Sequence, residues 1–83
     1  MDLERIKLFN ALAENLNYSK TAELMHISQS ALSRYIAELE MTLGTRLFER
    51  TTRKVELTPD GKVFLAGARK LAAEFDFTDE TAR

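Results

Sequence analysis

Polar residues near the middle of the chain carry groups that can read base edges in double-stranded DNA. Gln29 offers an amide that can make two hydrogen bonds to adenine, and Arg34 offers a guanidinium that can do the same with guanine. The hydroxyl groups of Ser30 and Ser33 can bond either bases or phosphates. This chemistry requires that all four side chains lie on one exposed surface.

A helix over residues 28–43 would place Ser30, Ser33 and Arg34 on one face, with Gln29 in its first turn. Ser28 is a suitable N-cap and Gly44 a suitable C-terminal stop. Between them the apolar residues follow a helical repeat, namely Leu32, Ile36, Leu39 and Leu43. At about 100° per residue, a second stripe lies about 140° round the helix from the apolar one and points out of the core. It contains Ser30, Ser33, Arg34 and Ala37. Small side chains in such a stripe allow close entry into the major groove.

Two shorter helices are expected before this one. Asp2 can cap a first helix that ends within residues 15–17. Its apolar face contains Ile6, Phe9, Leu12, Ala13 and Leu16. Ser19 is the expected cap of a second helix over residues 20–25, held by packing through Ala22, Leu24 and Met25. His26 belongs to the turn that follows and is not proposed as a site.

Two short strands over residues 47–50 and 55–58 are expected to form a basic β-hairpin. The residues between the strands include neither Gly nor Asn, so we expect a wider, more mobile loop than a tight two-residue turn. Arg50, Arg53 and Lys54 add positive charge that can reach the DNA backbone or the neighbouring minor groove.

Thr58, Pro59 and Asp60 mark the start of a fourth helix, as its N-cap, its first residue and an acid near the positive end of its dipole. The apolar residues of this helix cover more of its circumference than one small domain can shield. We therefore expect one face to pack on the first helix and another on a second copy of the chain. The candidate dimer residues are Phe64, Ala68, Leu71 and Phe75. Two-fold pairing would present two copies of the 28–43 helix to successive turns of the major groove.

The composition favours a single folded domain and excludes several function classes. The chain has 83 residues, of which 45% are hydrophobic and 30% charged. It has no cysteine and one histidine, so we expect no disulfide, metal site or cofactor, and no enzymatic activity. Met25 and Met41 are expected to fill gaps in the packing, and Met1 to be a terminus. Since neither a signal peptide nor a membrane span is evident, we expect a cytoplasmic protein without a membrane partner.

The charge is distributed unevenly along the chain. The net charge of −1 divides into −1 over residues 1–25, +2 over residues 26–54 and −2 over residues 55–83. Positive charge is thus concentrated in the segment that contains the 28–43 helix and the hairpin, which favours a nucleic-acid partner for that segment.

Linked motifs across residues 2–72 resemble the N-terminal domain of LysR-type transcriptional regulators. In order they are SQSALSR at 28–34, LE at 39–40, LG at 43–44, RLFER at 46–50 and LTPDG at 57–61. Their number and spacing make the match more specific than a generic helix-turn-helix pattern. Ser30 stands where the family often has proline, Thr21 where it usually has alanine, and the sequence departs from the family pattern after Lys70.

The resemblance implies a mainly α winged helix-turn-helix domain over residues 1–58 and a linker and dimerisation helix over residues 59–83. It implies sequence-specific binding of double-stranded DNA by a homodimer at an interrupted palindrome, with the wing at residues 47–58. The implied base contacts are Gln29, Ser30, Ser33, Arg34 and Arg53, and the implied backbone contacts are Ser19, Ser28, Arg50 and Thr51. Family members continue into a larger effector domain, which we expect to be missing from residues 1–83, and we expect a small-molecule inducer only if that domain is present.

Other interpretations compete with these. The polar residues at the start of the 28–43 helix could simply tolerate solvent, and the basic residues of the hairpin could be a solvated charge run. Arg34 could pair with Glu38, although that orientation contributes only about 0.3 kcal/mol, and Arg46 could pair with Glu49. A helical protein-interaction module that uses the apolar face of residues 59–75 is the rival from another class. DNA binding would weaken steeply with salt, whereas apolar binding would not.

Overall fold

Four helices and one β-hairpin follow each other along the chain. The computed structural model describes residues 2–82, without the side chains of residue 72 and residues 75–82. The elements are α1 (Leu3–Asn15), α2 (Tyr18–Leu24), α3 (Gln29–Leu43), β1 (Phe48–Arg50), β2 (Val55–Leu57) and α4 (Pro59–Ala82). The mainly helical architecture with a small hairpin, predicted from the sequence, is confirmed.

Local signals set most of the helix ends. The Asp2 carboxylate accepts a hydrogen bond from the backbone N–H of Arg5 at 3.0 Å, and the Ser28 hydroxyl accepts one from the N–H of Ala31 at 3.0 Å. Gly44 ends α3 in the left-handed conformation, at φ 72°, which glycine adopts without a steric penalty. These three predicted helix ends are confirmed.

The start of α2 differs from the prediction. Asn17, and not Ser19, is the N-cap, because its side-chain oxygen accepts a hydrogen bond from the N–H of Lys20 at 2.9 Å. Asparagine caps helices as well as serine does, so local rules do not decide between the two residues. Leu24 is 55% exposed and does not pack as expected. The buried residues of α2 are Tyr18, Thr21 and Ala22.

An aromatic cluster lies at the centre of the core. Phe9 of α1 has no exposed surface, and its ring centroid lies 5.3 Å from that of Phe48 and 5.0 Å from that of Phe64. Tilted and edge-on ring pairs of this kind stabilise by about 0.5–1.5 kcal/mol each beyond their burial. The inward face of α3 completes the core through Leu32, Ile36 and Leu39, as predicted. Phe9 therefore joins α1 to both the hairpin and α4.

The hairpin is antiparallel, with Phe48 opposite Leu57 and Arg50 opposite Val55. Each strand is one residue shorter than predicted. Its loop spans four residues, 51–54, and is closed by Thr51, whose backbone N–H donates to the carbonyl of Lys54 at 2.9 Å. The expected absence of a tight two-residue turn is thus confirmed.

One carboxylate joins α3 to the hairpin. Glu40 Oε2 accepts hydrogen bonds from the backbone N–H of Leu47 at 2.7 Å and of Phe48 at 3.2 Å, and its side chain is only 15% exposed. Charge-assisted bonds to backbone N–H groups are stronger than neutral ones. The same oxygen lies 3.5 Å from Arg46 Nε, so Arg46 pairs with Glu40 and not with Glu49. Glu40 thereby fixes where β1 begins relative to α3.

A second polar contact joins the hairpin to α4. The Thr58 hydroxyl donates to the Arg46 carbonyl at 2.6 Å and accepts from the N–H of Gly61 at 2.9 Å, which confirms Thr58 as the predicted cap. The N–H of Thr58 also donates to the Leu47 carbonyl at 3.0 Å. The first turn of α4 therefore lies directly against the segment that leads into β1.

Gly61→Ala should destabilise the fold. A Cβ at this position would overlap the Leu47 carbonyl oxygen and lie 3.0 Å from Leu57 Cδ2, so α4 and the hairpin would have to separate. Overpacking of this kind costs about 1–3 kcal/mol. Urea denaturation at fixed protein concentration measures the change. Lys62→Ala, at the exposed neighbouring residue, should stay within about 0.5 kcal/mol of wild type, and equal stability of the Gly61 variant would contradict the close contact.

Glu40→Ala should also lower the free energy of unfolding, by about 2–3 kcal/mol, because two backbone N–H groups lose a charged acceptor. The matched control is Glu38→Ala on the same helix. The Glu38 side chain is 49% exposed and its partner is Arg5, at 3.2 Å. Its loss should cost less than about 1 kcal/mol. Chemical denaturation of both variants tests the difference, and equal effects would show that Glu40 has no special role at the junction.

Candidate nucleic-acid interface

The outer face of α3 is turned away from the core over its whole length. Ser30, Arg34 and Ala37 are exposed, and Ser33 is half-buried at the edge of this face. Gln29 is exposed at the first residue of the helix. The stripe that the helical period predicts therefore faces solvent.

Arg34 does not form the ion pair with Glu38 that would have given it a purely structural role. Glu38 instead has its Oε2 atom 3.2 Å from Arg5 Nη2. The guanidinium carbon of Arg34 lies 5.4 Å from the ring centroid of Tyr35, and that of Arg5 lies 5.1 Å from the same centroid. Within the described residues Arg34 makes no ion pair. Its planar set of donors is therefore available for a base edge.

Two predicted DNA contacts meet at the start of α3. The hydroxyl oxygen of Ser28, which caps the helix, lies 3.3 Å from the hydroxyl oxygen of Ser30. Both residues are exposed. They lie where the unpaired N–H groups of a helix and its dipole favour a negatively charged group such as phosphate.

A cleft of about 260 Å³ lies between the start of α2, the start of α3 and the hairpin. Distant parts of the sequence meet here, because α2, α3 and the hairpin loop each contribute side chains. The predicted contact residues that line it are Ser19, Gln29, Arg50, Thr51 and Arg53. The fold thus brings together hydroxyl, amide and guanidinium groups that can bind a phosphodiester backbone.

The cations of the hairpin differ in their surroundings. Lys54 Nζ lies 2.8 Å from Glu56 Oε1; this hydrogen bond raises the pKa of Lys54 and lowers the pKa of Glu56. Arg53 is exposed and makes no ion pair with any described residue. The Thr51 hydroxyl already accepts a hydrogen bond from the N–H of Lys54 at 3.1 Å, so it also organises the loop. Arg53 is therefore the cation at the loop tip whose charge has no local counter-ion.

Arg50 is positioned by an aromatic ring that the sequence pattern does not predict. Its guanidinium carbon lies 3.9 Å from the ring centroid of Tyr18, a close cation–π contact. Tyr18 is only 8% exposed, and this burial raises the pKa of its hydroxyl, against the opposing effect of the Arg50 charge. The sequence signal that could have indicated this contact is the N-cap at Asn17, because a cap there makes Tyr18 the first residue of α2.

A larger open groove, of about 720 Å³, runs between α3 and the hairpin. Ser33, Ala37 and Met41 line one side, and Arg46 and Arg50 line the other. Met41 was expected to fill a gap in the packing. That expectation is wrong, since the residue is 83% exposed. Glu40, which pairs with Arg46, also lines it, so the groove combines apolar side chains, this ion pair and the guanidinium of Arg50.

The apolar residues of α4 divide between the core and a separate groove of about 530 Å³. Ala68 is buried and Phe64 packs on Phe9, so both face α1, whereas Val63 and Leu71 are exposed. All four line the groove, together with Ile6 and Gly67. The side chain of Phe75 lies outside the described residues. The dimer roles of Phe64, Ala68, Leu71 and Phe75 remain predictions.

Two further properties concern only the described part of the chain. No cluster of three or more metal-binding side chains occurs there. None of its helices combines the length and the apolar character that crossing a bilayer requires.

Comparison with known proteins identifies the family to which this chain is similar. The model of the family "Bacterial regulatory helix-turn-helix protein, lysR family" matches residues 3–62. The HTH-type transcriptional regulator TfdT of Cupriavidus pinatubonensis is 51% identical over 73 residues, which are 88% of this chain and 32% of TfdT. The uncharacterized HTH-type transcriptional regulator YbhD of Escherichia coli is 47% identical over 77 residues, 93% of this chain and 24% of YbhD. The chain thus spans about a third or less of the length of these relatives.

Solved structures share the fold over nearly the whole chain. The DNA-binding domain of BenM, in complex with catB site 1 DNA, is 36% identical and has a TM-score of 0.93, covering 99% of this chain and 91% of that one. The DNA-binding domain of CbnR, also in complex with DNA, is 36% identical, has a TM-score of 0.84 and covers 100% of both chains. The relatives are transcriptional regulators and not enzymes. Because the family model matches residues 3–62, which are more than half of this chain, the chain belongs to the LysR family of bacterial helix-turn-helix regulatory proteins.

Proposed function

We propose that this chain binds a specific site in double-stranded DNA as a homodimer, with α3 in the major groove and the hairpin on the flanking backbone or minor groove. The observation that carries the proposal is the exposed polar stripe of α3 beside the cleft that contains Arg50 and Arg53. Small side chains let a helix approach base edges, and the neighbouring cations neutralise phosphates. The BenM and CbnR domains were solved with DNA, which supports DNA binding by this chain.

The contacts divide by chemistry. We assign base reading to Gln29, Ser30, Ser33, Arg34 and Arg53, and backbone contacts to Ser19, Ser28, Arg50 and Thr51. Arg50 is suited to bind a phosphate because its stack on Tyr18 holds the guanidinium at the cleft. The side chain therefore loses less conformational entropy when it binds. The cap at Ser28 favours an anion through the helix N-terminus.

The groove on α4 is assigned to a second copy of the chain. Val63, Gly67 and Leu71 are exposed along it, and Ala68 forms part of its floor. A two-fold axis would cover this apolar surface on both copies and present two α3 helices to one side of the DNA, so the site should be an interrupted palindrome. In this division residues 1–58 bind DNA and residues 59–83 pair the chains. A helical protein-interaction module would use the same groove, but no specific observation favours a protein other than a second copy of the chain.

Selection of bound sequences from a random DNA pool tests the proposal. Two inverted half-sites, centred about one helical turn or a multiple of it apart, should be enriched. Failure to enrich any sequence would contradict specific binding, and a single uninverted site would contradict the symmetric dimer.

Arg34→Ala and Arg53→Ala should weaken binding in different ways. Loss of Arg34 should cost about 1–3 kcal/mol and relax the preference at one base pair, because a bidentate contact is removed. Loss of Arg53 should have a smaller sequence effect but flatten the salt dependence, because a base contact from the wing is less specific than one from α3 and the charge at the loop tip also neutralises phosphates. Titrations of selected and scrambled duplexes at several salt concentrations separate the two. Uniform weakening across sequences would make Arg34 a phosphate contact, and an unchanged salt slope would remove Arg53 from the interface.

Leu71→Glu should shift the chain toward monomer, because it places a charge in the apolar groove of α4. Affinity for a duplex with two half-sites should fall more than affinity for one half-site. Ala73→Glu is the matched control, since Ala73 is exposed and lies about 160° round the helix from Leu71. Sedimentation velocity measures the oligomeric state. A dimeric Leu71→Glu chain with normal affinity would move the interface elsewhere.

A further inference from the structure

The exposed stripe of α3 changes its chemistry half-way along the helix. The first half carries the hydroxyl of Ser30 and the guanidinium of Arg34, whereas the second half carries the apolar side chains of Ala37 and Met41, all of them exposed. At about 100° per residue, Ala37 and Met41 lie only about 20° to either side of the direction of Ser30. The apolar pair therefore continues the surface that is assigned to base reading.

Packing within the chain does not account for this apolar end. The buried residues of α3 lie on the opposite face, and Met41 is 83% exposed. Single exposed hydrophobic residues are common and need no explanation by themselves. These two differ because they share a groove with Arg50 and with Arg46, which is already paired with Glu40. An apolar protein segment in that groove would have to desolvate the guanidinium of Arg50, which makes no ion pair with any described residue, whereas DNA brings a phosphate for that charge.

We propose that Ala37, with Met41 beyond it, recognises thymine through its C5-methyl group; this inference rests on the proposed DNA binding. The thymine methyl is the apolar group that the major groove presents, and alanine is among the side chains that contact it. At about 1.5 Å per residue, Ala37 lies about 4.5 Å along the helix from Arg34, and Met41 about 6 Å further. Each half-site should therefore contain thymine next to the base pair that Arg34 reads, on the side toward the C-terminus of α3. A second thymine should lie further out, opposite Met41.

Replacement of single thymines by deoxyuridine tests the contact, because this change removes only the methyl group. The probe is the duplex obtained from random-pool selection, with each thymine of one half-site replaced in turn, and anisotropy titrations give the dissociation constants. For the full 83-residue chain, loss of the inner methyl should weaken binding about three- to fivefold, the effect of exposing one buried methyl group. In Ala37→Gly the same DNA change should have almost no effect. Met41→Gln should remove the dependence on the outer methyl alone.

Two controls separate methyl recognition from effects on folding. Ala66→Gly removes a methyl at an exposed position of α4 and should leave the deoxyuridine effect unchanged. Ala37→Gln retains good helix propensity, and its amide should shift the selected base at the inner position from thymine to adenine.

The inference is overturned if no thymine replacement changes the affinity by more than about twofold, or if the effect persists in Ala37→Gly. Selection of no sequence from the pool would instead contradict the proposed function, and this is seen before any modified duplex is made.

Discussion

The packing of Phe9 is the contact on which the rest of the molecule depends. Its fully buried ring is shared by β1 through Phe48 and by α4 through Phe64, so one residue of α1 fixes both the hairpin and α4. Glu40 completes the arrangement from the side of α3 by binding the first N–H groups of the hairpin. The outer face of α3 and the hairpin are thereby held in one geometry before any ligand arrives. A preformed surface loses less conformational entropy on binding.

The electrostatics follow from the same contacts. A chain of net charge −1 can bind a polyanion only if its carboxylates do not oppose the ligand at the interface. Of the carboxylates on α3 and the hairpin, Glu38 pairs with Arg5, Glu40 bonds backbone N–H groups and Arg46, and Glu56 pairs with Lys54, which leaves Glu49 as the exposed acid without an ion pair among the described residues. Arg34, Arg50 and Arg53 have no such partner among the described residues, so the face of α3 and the hairpin loop keep a local positive charge.

Features set by nearby residues were predictable, and those set by tertiary packing were not. The caps at Asp2, Ser28 and Thr58 and the stop at Gly44 depend on their own neighbours, and all occur as predicted. The cap of α2 was misplaced because Asn17 and Ser19 are equally suitable by local rules. The helical repeat identified the outward stripe of α3, but it could not show that Tyr18 stacks under Arg50 or that Met41 is exposed. Nor could it separate the residues of α4 that face α1 from those that stay open, since its apolar residues extend round most of the helix.

The DNA interface on α3 is tested most directly by NMR, with the isotope-labelled chain titrated with the duplex obtained by selection. Backbone amide shifts should change most at Ser30, Arg34 and Arg53, while the amides of Val63 and Gly67 should move little, since the groove of α4 shares no lining residue with the clefts beside α3 and the hairpin. The opposite pattern, with α3 unperturbed and the changes confined to α4, would contradict the assignment of α3 as the surface that reads DNA.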